Sequence, residues 1–238
     1  MRVESQPAYI LHARAWRETS LLLEAFTRDH GRVGLVARGV RSARARLPRS
    51  ALEPFQALQV AWSGRGELQT LTAAESVRNP PLLRGDALMS AMYVNELMVR
   101  LTARDDAHPA LFYRYAGLLD ELAATPSLAW SLRRFERDLL AAVGYALHLD
   151  TDAESGAPIE PGQAYDYLPE LGPVAAAGPT GSGARVRGSA LLALAGDAAP
   201  RDPEDLAALR RLMRTLIGVH VGDRGLQSWR VLAGSLRS

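Results

Sequence analysis

The chain has 238 residues, of which 47% are hydrophobic and 23% are charged, and its formal net charge at pH 7 is +2. These values are ordinary for a globular protein of one large domain or two to three small ones, and they exclude a uniformly basic coat protein. Because the sequence contains neither cysteine nor lysine, it excludes disulfides, cysteine metal sites, Schiff-base chemistry and a P-loop lysine.

Short apolar runs separated by turn signals predict five strands in the first third of the chain. The predicted strands cover residues 8–14, 20–27, 32–38, 55–63 and 68–73. The turn signals include Asp-His-Gly at 29–31 and Gly-Arg-Gly at 64–66. Five short antiparallel strands fit a small closed barrel such as the OB-fold, with an SH3-like barrel as the alternative.

A run of positive charge accompanies the third predicted strand and the loop after it. Residues 32–49 contain six arginines and no acidic residue. Such a loop suits a polyanion, because arginine binds phosphate bidentately and stays charged at any working pH. A solvated loop without a ligand is the alternative interpretation. The first 80 residues carry twelve arginines and seven acids, whereas residues 150–208 carry three and ten. This asymmetry favours a directed surface for a polyanion.

The apolar spacing becomes helical after residue 80. Helices are predicted over residues 86–104, 109–124, about 126–147, 190–195, 204–220 and about 226–235. The first three are expected to form one small bundle. Residues 148–188 are rich in Gly, Pro, Ala and acids and are expected to be irregular, with a short strand pair near 164–168. The predicted fold class is α+β, with an N-terminal OB-fold β-barrel at 1–80 and an α-helical C-terminal domain at 81–238 that contains this irregular insertion.

No group of residues assembles the nucleophile, base and orienting side chain that catalysis requires. The five histidines are scattered, without a His-x-x-x-His pair. Residues 150–154 resemble the start of a calcium loop, but Ser155 and Pro161 replace its glycine and closing glutamate. Residues 178–185 contain two glycines of a phosphate loop but lack its lysine. We therefore expect a binding protein, not an enzyme, with no metal and no cofactor.

Four segments of the sequence carry a resemblance to a known family. They are AYILHARAWRETSLLLEAFTRDHGRVGLVARGVR at 8–41, ALEPFQALQVAWSGRGELQTLTAAE at 51–75, YVNELMVRLTARDDAHPALFYRYAGLLDELA at 93–123 and GDRGLQSWRVL at 222–232. The first contains a T-x-x-x-G run that leads to a basic residue followed by glycine. The third contains a Y-x-x-E-L start and an H-P-x-L-F turn. In this order the segments resemble the RecO family of bacterial recombination mediators, over most of the chain apart from about 150–188.

The resemblance implies a function as well as a fold. It implies an N-terminal OB domain, a C-terminal helical domain and no turnover of covalent bonds. It implies binding to single- and double-stranded DNA, annealing of complementary strands, pairing with RecR, and contact with the acidic C-terminal tail of single-strand DNA-binding protein. Together these activities help to load RecA onto coated DNA in repair and homologous recombination. Many members carry a four-cysteine zinc site near the region here numbered 148–178, but this chain lacks those cysteines, so we expect no zinc.

Arginines of the basic run are the candidate DNA contacts. Those that match the family's basic loop are Arg38, Arg41, Arg44 and Arg46, and the next candidates are Arg32 and Arg49. Arginines on loops can screen two DNA backbones without reading sequence. Trp16 and Phe55 are candidates for base stacking, with burial in the barrel core as the alternative.

A second candidate site concerns the acidic tail of the partner protein. A tail that ends in apolar residues needs a cation beside an apolar groove. Arg133 and Arg137 lie four residues apart on one predicted helix face, with Arg134 close to them. The alternative is a set of solvated helix charges paired with Glu136 or Asp138.

Three other functions remain open from the sequence. They are an OB-type RNA-binding protein that prefers RNA to DNA, a scaffold whose barrel binds only protein, and an enzyme. No secretory hydrophobic region opens the chain, and no apolar run approaches the roughly 18 residues of a membrane helix. We expect a cytoplasmic, nucleoid-associated protein without a membrane partner.

Overall fold

Five strands close into a barrel at the N-terminal end of the chain. They are β1 (Arg2–Trp16), β2 (Ser20–Thr27), β3 (Gly31–Ala37), β4 (Leu58–Ser63) and β5 (Leu68–Ser76). Their order around the barrel is β1-β2-β3-β5-β4, and β4 pairs with β1 to close it. Only the β3–β5 pairing is parallel among these neighbours. The predicted OB-like closed barrel is confirmed. The computed structural model describes residues 2–42, 47–125, 127–178, 184–222 and 225–229.

The interior of the barrel is filled by alternate side chains of every strand, as the two-residue period of a strand requires. The largest of them is Trp62, which is fully buried. After β3, Val40 returns into this core. A 3-10 helix, Arg49–Leu52, then adds Leu52 to the same core. The basic run is therefore attached to the barrel on both sides.

Two helices, α1 (Gly85–Leu101) and α2 (Pro109–Ala124), pack on the outside of the barrel. Tyr9 of β1 lies with its ring centroid 5.0 Å from that of Tyr115 and 5.5 Å from that of Phe112. The Asn95 side-chain amide donates to the Leu11 carbonyl (2.9 Å), and its oxygen accepts from the Tyr115 hydroxyl (2.6 Å). A buried aromatic cluster with satisfied polar atoms thus joins both helices to β1.

The connection between α1 and α2 crosses the turn between β2 and β3. The backbone N–H of Asp105 donates to the Arg32 carbonyl (3.0 Å). Gly31 has a φ of +63°, and a Cβ built on it would lie 1.8 Å from the Asp106 carbonyl oxygen. Only glycine fits there, because it tolerates the left-handed conformation and leaves room for the neighbouring backbone.

The remaining elements form a second unit with its own core. They are α3 (Leu128–Ala142), β6 (Ala164–Leu168), β7 (Gly172–Ala175), β8 (Ala184–Arg187), α4 (Gly188–Ala195) and α5 (Pro203–Val221). The three strands form a sheet in the order β7-β6-β8. Contacts assign Met1–Thr125 with Gln227–Ser238 to the first unit and Pro126–Leu226 to the second.

The positions of the predicted helices and strands agree better with the structure than the predicted assignment of those helices to one bundle. The expected bundle of the first three helices is wrong, because α1 and α2 belong with the barrel and α3 packs with α5 in the second unit. The domain boundary at residue 80, which follows the change from strands to helices, stays a prediction. The last predicted helix, about 226–235, is helical at residues 227–229 but not at 226, and residues 230–235 lie outside the described part of the chain.

Asp152 organises part of the segment that was expected to be irregular. Its Oδ1 accepts from the backbone N–H groups of Glu154 (3.0 Å) and Ser155 (2.7 Å) and from the Ser155 hydroxyl (2.9 Å). Its Oδ2 accepts from the N–H of Ala175 in β7 (2.7 Å). These bonds, those from Ser155 above all, hold the pKa of Asp152 below its ordinary value. One ionised side chain therefore ties this loop to the sheet.

Replacing Asp152 by asparagine should destabilise the second unit at neutral pH, because the amide nitrogen cannot accept hydrogen bonds. The folded pKa is lowered from 3.8, so the carboxylate stabilises the fold above that value and ceases to do so as the pH falls through the folded pKa. Urea unfolding of the wild type and D152N, from neutral pH to below the lowered pKa, should give a difference that shrinks with falling pH. D150N, at an exposed carboxylate, is the control. A difference that does not depend on pH would contradict this explanation.

Candidate nucleic-acid interface

Arg38 and Arg41 lie at one end of the barrel, directly after β3. Val40 between them is buried in the core. The backbone N–H of Arg41 donates to the Thr19 carbonyl (2.9 Å) in the turn between β1 and β2. Both arginine side chains are exposed. Within the part of the chain that the structure describes, neither forms an ion pair, so their charge is directed at solvent from a fixed backbone.

Arg14 and Arg17 lie at the same end and were missed by the sequence reasoning. Arg14 pairs in register with Leu22 of β2, and Arg17 opens the β1–β2 turn with a φ of 54°. The Arg17 carbonyl accepts a hydrogen bond from Nη1 of Arg41 (3.4 Å). Both side chains are exposed. We call Arg14, Arg17, Arg38 and Arg41 the basic rim. The predicted turn between the first two strands was the signal that could have located the first two.

The other arginines of the basic run differ in their placement. Arg49 lies on the exposed side of the 3-10 helix, 3.9 Å from the Glu53 carboxylate. A surface ion pair of this kind contributes about 0–1 kcal/mol, so Glu53 competes only weakly with a phosphate for this arginine. Arg44 and Arg46 lie outside the described residues.

The guanidinium group of Arg32 is already bonded to residues of the first unit. Its Nη1 lies 2.7 Å from Glu24 Oε2, and its Nη2 donates to the Thr102 carbonyl (2.9 Å). The Glu24 carboxylate also pairs with Arg104. Only 13% of the Arg32 side chain and 15% of the Glu24 side chain are exposed. We therefore leave Arg32 out of the basic rim.

These contacts also cover the outer face of β2 and β3, which many OB barrels use to bind oligonucleotides. Glu24 and Arg32 occupy one part of that face. Phe26 occupies another, with its ring centroid 5.8 Å from that of Phe112 and 6.5 Å from that of Tyr115. The basic rim, at the strand ends, remains exposed for a polyanion.

Comparison with known proteins agrees with this architecture. The family model for the recombination protein O N terminal matches residues 1–80, and the model for its C terminal matches residues 82–230. The chain belongs to the RecO family. It is 48% identical to the DNA repair protein RecO of Aromatoleum aromaticum over 231 residues, which are 97% of this chain and 95% of that protein. It is 44% identical to the protein of the same name in Xanthomonas oryzae pv. oryzae over 235 residues, 98% and 97% of the two chains. RecO membership supports a role in DNA repair and recombination.

The three arginines considered for the RecO partner tail are all engaged within the second unit. Arg133 pairs with the buried Glu136, and only 7% of its side chain is exposed. Arg134 Nη2 lies 2.7 Å from Asp197 Oδ2, and Arg137 Nη2 lies 3.1 Å from Asp197 Oδ1. The hydrogen bond from Arg134 is the largest cause of the lowered pKa of Asp197. An acidic ligand at this place would have to compete with Asp197.

The described residues contain no group of three or more His, Cys, Asp or Glu side chains that could hold a metal ion. Within that same part of the chain, no helix is both long and apolar enough to cross a membrane.

Replacing Glu24 by glutamine should lower the free energy of unfolding by about 2–4 kcal/mol, because Arg32 and Arg104 would lose their carboxylate in a partly buried place. Urea denaturation measures the loss. E18Q, at an exposed acid in the neighbouring turn, should change stability by less than about 0.5 kcal/mol. Equal effects of the two substitutions would show that the Glu24 pairs do not stabilise the barrel.

Proposed function

We propose that this chain binds single- and double-stranded DNA through the basic rim and anneals complementary strands. The observation that carries the proposal is the exposure of Arg14, Arg17, Arg38 and Arg41 at one end of the barrel. Arg44, Arg46 and Arg49 are proposed to add contacts from the same basic run. Family membership supports the assignment, since the relatives are DNA repair proteins.

The chemistry of the rim suits annealing better than sequence recognition. Guanidinium groups bind phosphate oxygens and release counterions, so affinity follows charge and salt and not base sequence. Two complementary strands repel each other through their phosphates, and a shared set of cations reduces that repulsion. The proposed role requires no covalent step, and we propose that the protein is not an enzyme.

We further propose the partners implied by the family resemblance. These are RecR, the acidic C-terminal tail of single-strand DNA-binding protein, and RecA, which is loaded indirectly. Arg134 and Arg137 are the proposed contacts for the tail, because 27% and 21% of their side chains remain exposed beside Asp197. Arg133 is buried and pairs with Glu136, so we propose that it contributes positive charge near the tail without contacting it.

The DNA proposal predicts a change in the salt dependence of binding. Replacing Arg38 and Arg41 by alanine should weaken single-stranded DNA binding and reduce the log–log salt slope by about 1.4, which is roughly 0.7 per lost phosphate contact. Fluorescence anisotropy over a salt titration measures this slope. The matched control is R2A/R65A, because Arg2 and Arg65 are exposed at the opposite end of the barrel strands.

Each result of that titration has a distinct meaning. An unchanged slope in R38A/R41A would place the DNA elsewhere and contradict the rim proposal. A preference for RNA over DNA of equal length would favour an RNA-binding function. No binding by the wild type, even at low salt, would favour a barrel that binds only protein.

The tail proposal predicts competition between Asp197 and the peptide. Replacing Asp197 by asparagine removes the internal anion but suits the positive φ of 56° at this position. D197N should therefore bind an acidic tail peptide more tightly, by about two- to fivefold, the size expected for an exposed ion pair of up to 1 kcal/mol. Isothermal titration with the peptide measures the affinity. Unchanged affinity in D197N, with binding by the wild type, would place the tail at another site.

A further inference from the structure

A cavity of about 760 Å³ lies in the first unit, next to the basic rim. It is bounded by β1, by α1 and by the segment from Arg49 to Phe55. Its volume falls in the range of about 300–1,000 Å³ that is usual for ligand sites. It shares Arg41 with the basic rim. The phosphate contacts proposed for the basic rim do not use the interior of this cavity, so they do not account for it.

The walls of the cavity are mainly apolar. Leu11, Leu52, Met89 and Val99 line it, together with the half-buried ring of Phe55. The Phe55 backbone has a φ of 68°, a conformation that a bulky residue seldom adopts. It follows closely on Leu52, which is fixed in the barrel core. The fold therefore holds an aromatic ring at the wall of a depression that is open to solvent.

Two polar side chains of the wall, Asn95 and Glu96, already have hydrogen-bond partners. Both atoms of the Asn95 amide are used, by the Leu11 carbonyl and the Tyr115 hydroxyl. The Glu96 carboxylate accepts from the backbone N–H of Gln227 (2.6 Å) and from the N–H (2.9 Å) and hydroxyl (2.7 Å) of Ser228. An occupant would therefore meet these groups without forming strong, sequence-reading hydrogen bonds, and contact with apolar surface would dominate.

The charge around the cavity points to a phosphate-bearing occupant. Arg41, Arg49 and Arg100 line it, and all three side chains are exposed. Of the two acids in the wall, Glu96 is bound as described and Glu53 lies 3.9 Å from Arg49. Apolar and aromatic walls with guanidinium groups beside them match a nucleotide, whose base is flat and whose phosphates are anionic.

We propose that this cavity receives one unpaired base of single-stranded DNA, which stacks on Phe55 while Arg41 and Arg49 contact the flanking phosphates. This inference rests on the proposed DNA-binding function and deepens it, because it distinguishes single strands from duplexes. Bases of a duplex are already paired and stacked, and extruding one is unfavourable. An unpaired base enters without that loss. Stacking tolerates any base because every base has a flat aromatic face, and annealing of any sequence requires that tolerance.

The test compares F55L with the wild type, because leucine keeps apolar volume at this position but removes the flat ring. Affinities are measured by anisotropy for a thymidine oligomer and for a duplex of equal length. F55L should lose about tenfold in single-strand affinity, the size expected for one base–aromatic stack, and change duplex affinity less than twofold. Y113A, at an exposed tyrosine outside the cavity, should change neither, and thermal unfolding confirms that both variants fold.

A second readout reports on the base itself. An oligomer that contains 2-aminopurine should change its emission when the wild type binds, because stacking quenches this fluorophore, and should change much less with F55L. Equal losses for single strand and duplex, or none for either, would overturn the base-binding inference. R38A/R41A separates the two proposals: if it weakens binding to both DNAs while F55L weakens neither, the rim binds DNA and the cavity has another occupant, such as a peptide. If the wild type binds no DNA, both proposals fail.

Discussion

The carboxylate of Glu24 determines how the first unit is arranged. It lies on the outer face of β2 and pairs with Arg32 on β3 and with Arg104 in the α1–α2 connection. This shared anion fastens the connection to the sheet, where the contact at Gly31 leaves no space for a side chain. The connection between the two helices is thereby held against the outer face of the barrel. The same contact closes the face that an isolated OB barrel would offer to nucleic acid and leaves the strand ends exposed.

The sequence predicted the barrel well because its signals are local. Alternating apolar residues and glycine-containing turns mark each strand regardless of distant neighbours. The role of an individual arginine depends on distant neighbours. Arg32 and Arg38 stand six positions apart in one basic run, yet the first pairs with a carboxylate on the neighbouring strand and the second is exposed to solvent. No periodicity distinguishes them, because the pairing of Arg32 follows from the β2–β3 register. Arg14 and Arg17 were missed because they lie outside the basic run, although the turn between β1 and β2 places them at the same end of the barrel.

The second unit was predicted less well from the sequence than the barrel. Residues 148–188 show little periodicity, so only a strand pair was expected, whereas β6 pairs with strands on both sides. Asp152 was weighed as a calcium ligand from its spacing to other acids. It accepts four hydrogen bonds from the protein instead. One of these bonds, from Ala175, joins residues 23 positions apart, and the alternation of apolar residues does not predict any of the four. For the arginines of α3, the sequence left open a partner-tail site or pairing with Glu136 or Asp138. Arg133 does pair with Glu136 and Arg137 with Asp138, but the ion pair with Asp197 was not expected.

The two attachments of the basic run, Val40 and Leu52, separate the stability of the barrel from the charge of the loop between them. Both side chains belong to the barrel core, and Leu47 packs against it, so apolar residues and not the arginines position the strands on either side. Doubling the length of a flexible loop costs only about 0.6 kcal/mol in closure entropy. The loop can therefore gain or lose residues and charge over evolutionary time with little effect on folding. Under the proposed function, the number of arginines in this one segment would set how steeply the affinity for DNA falls with salt.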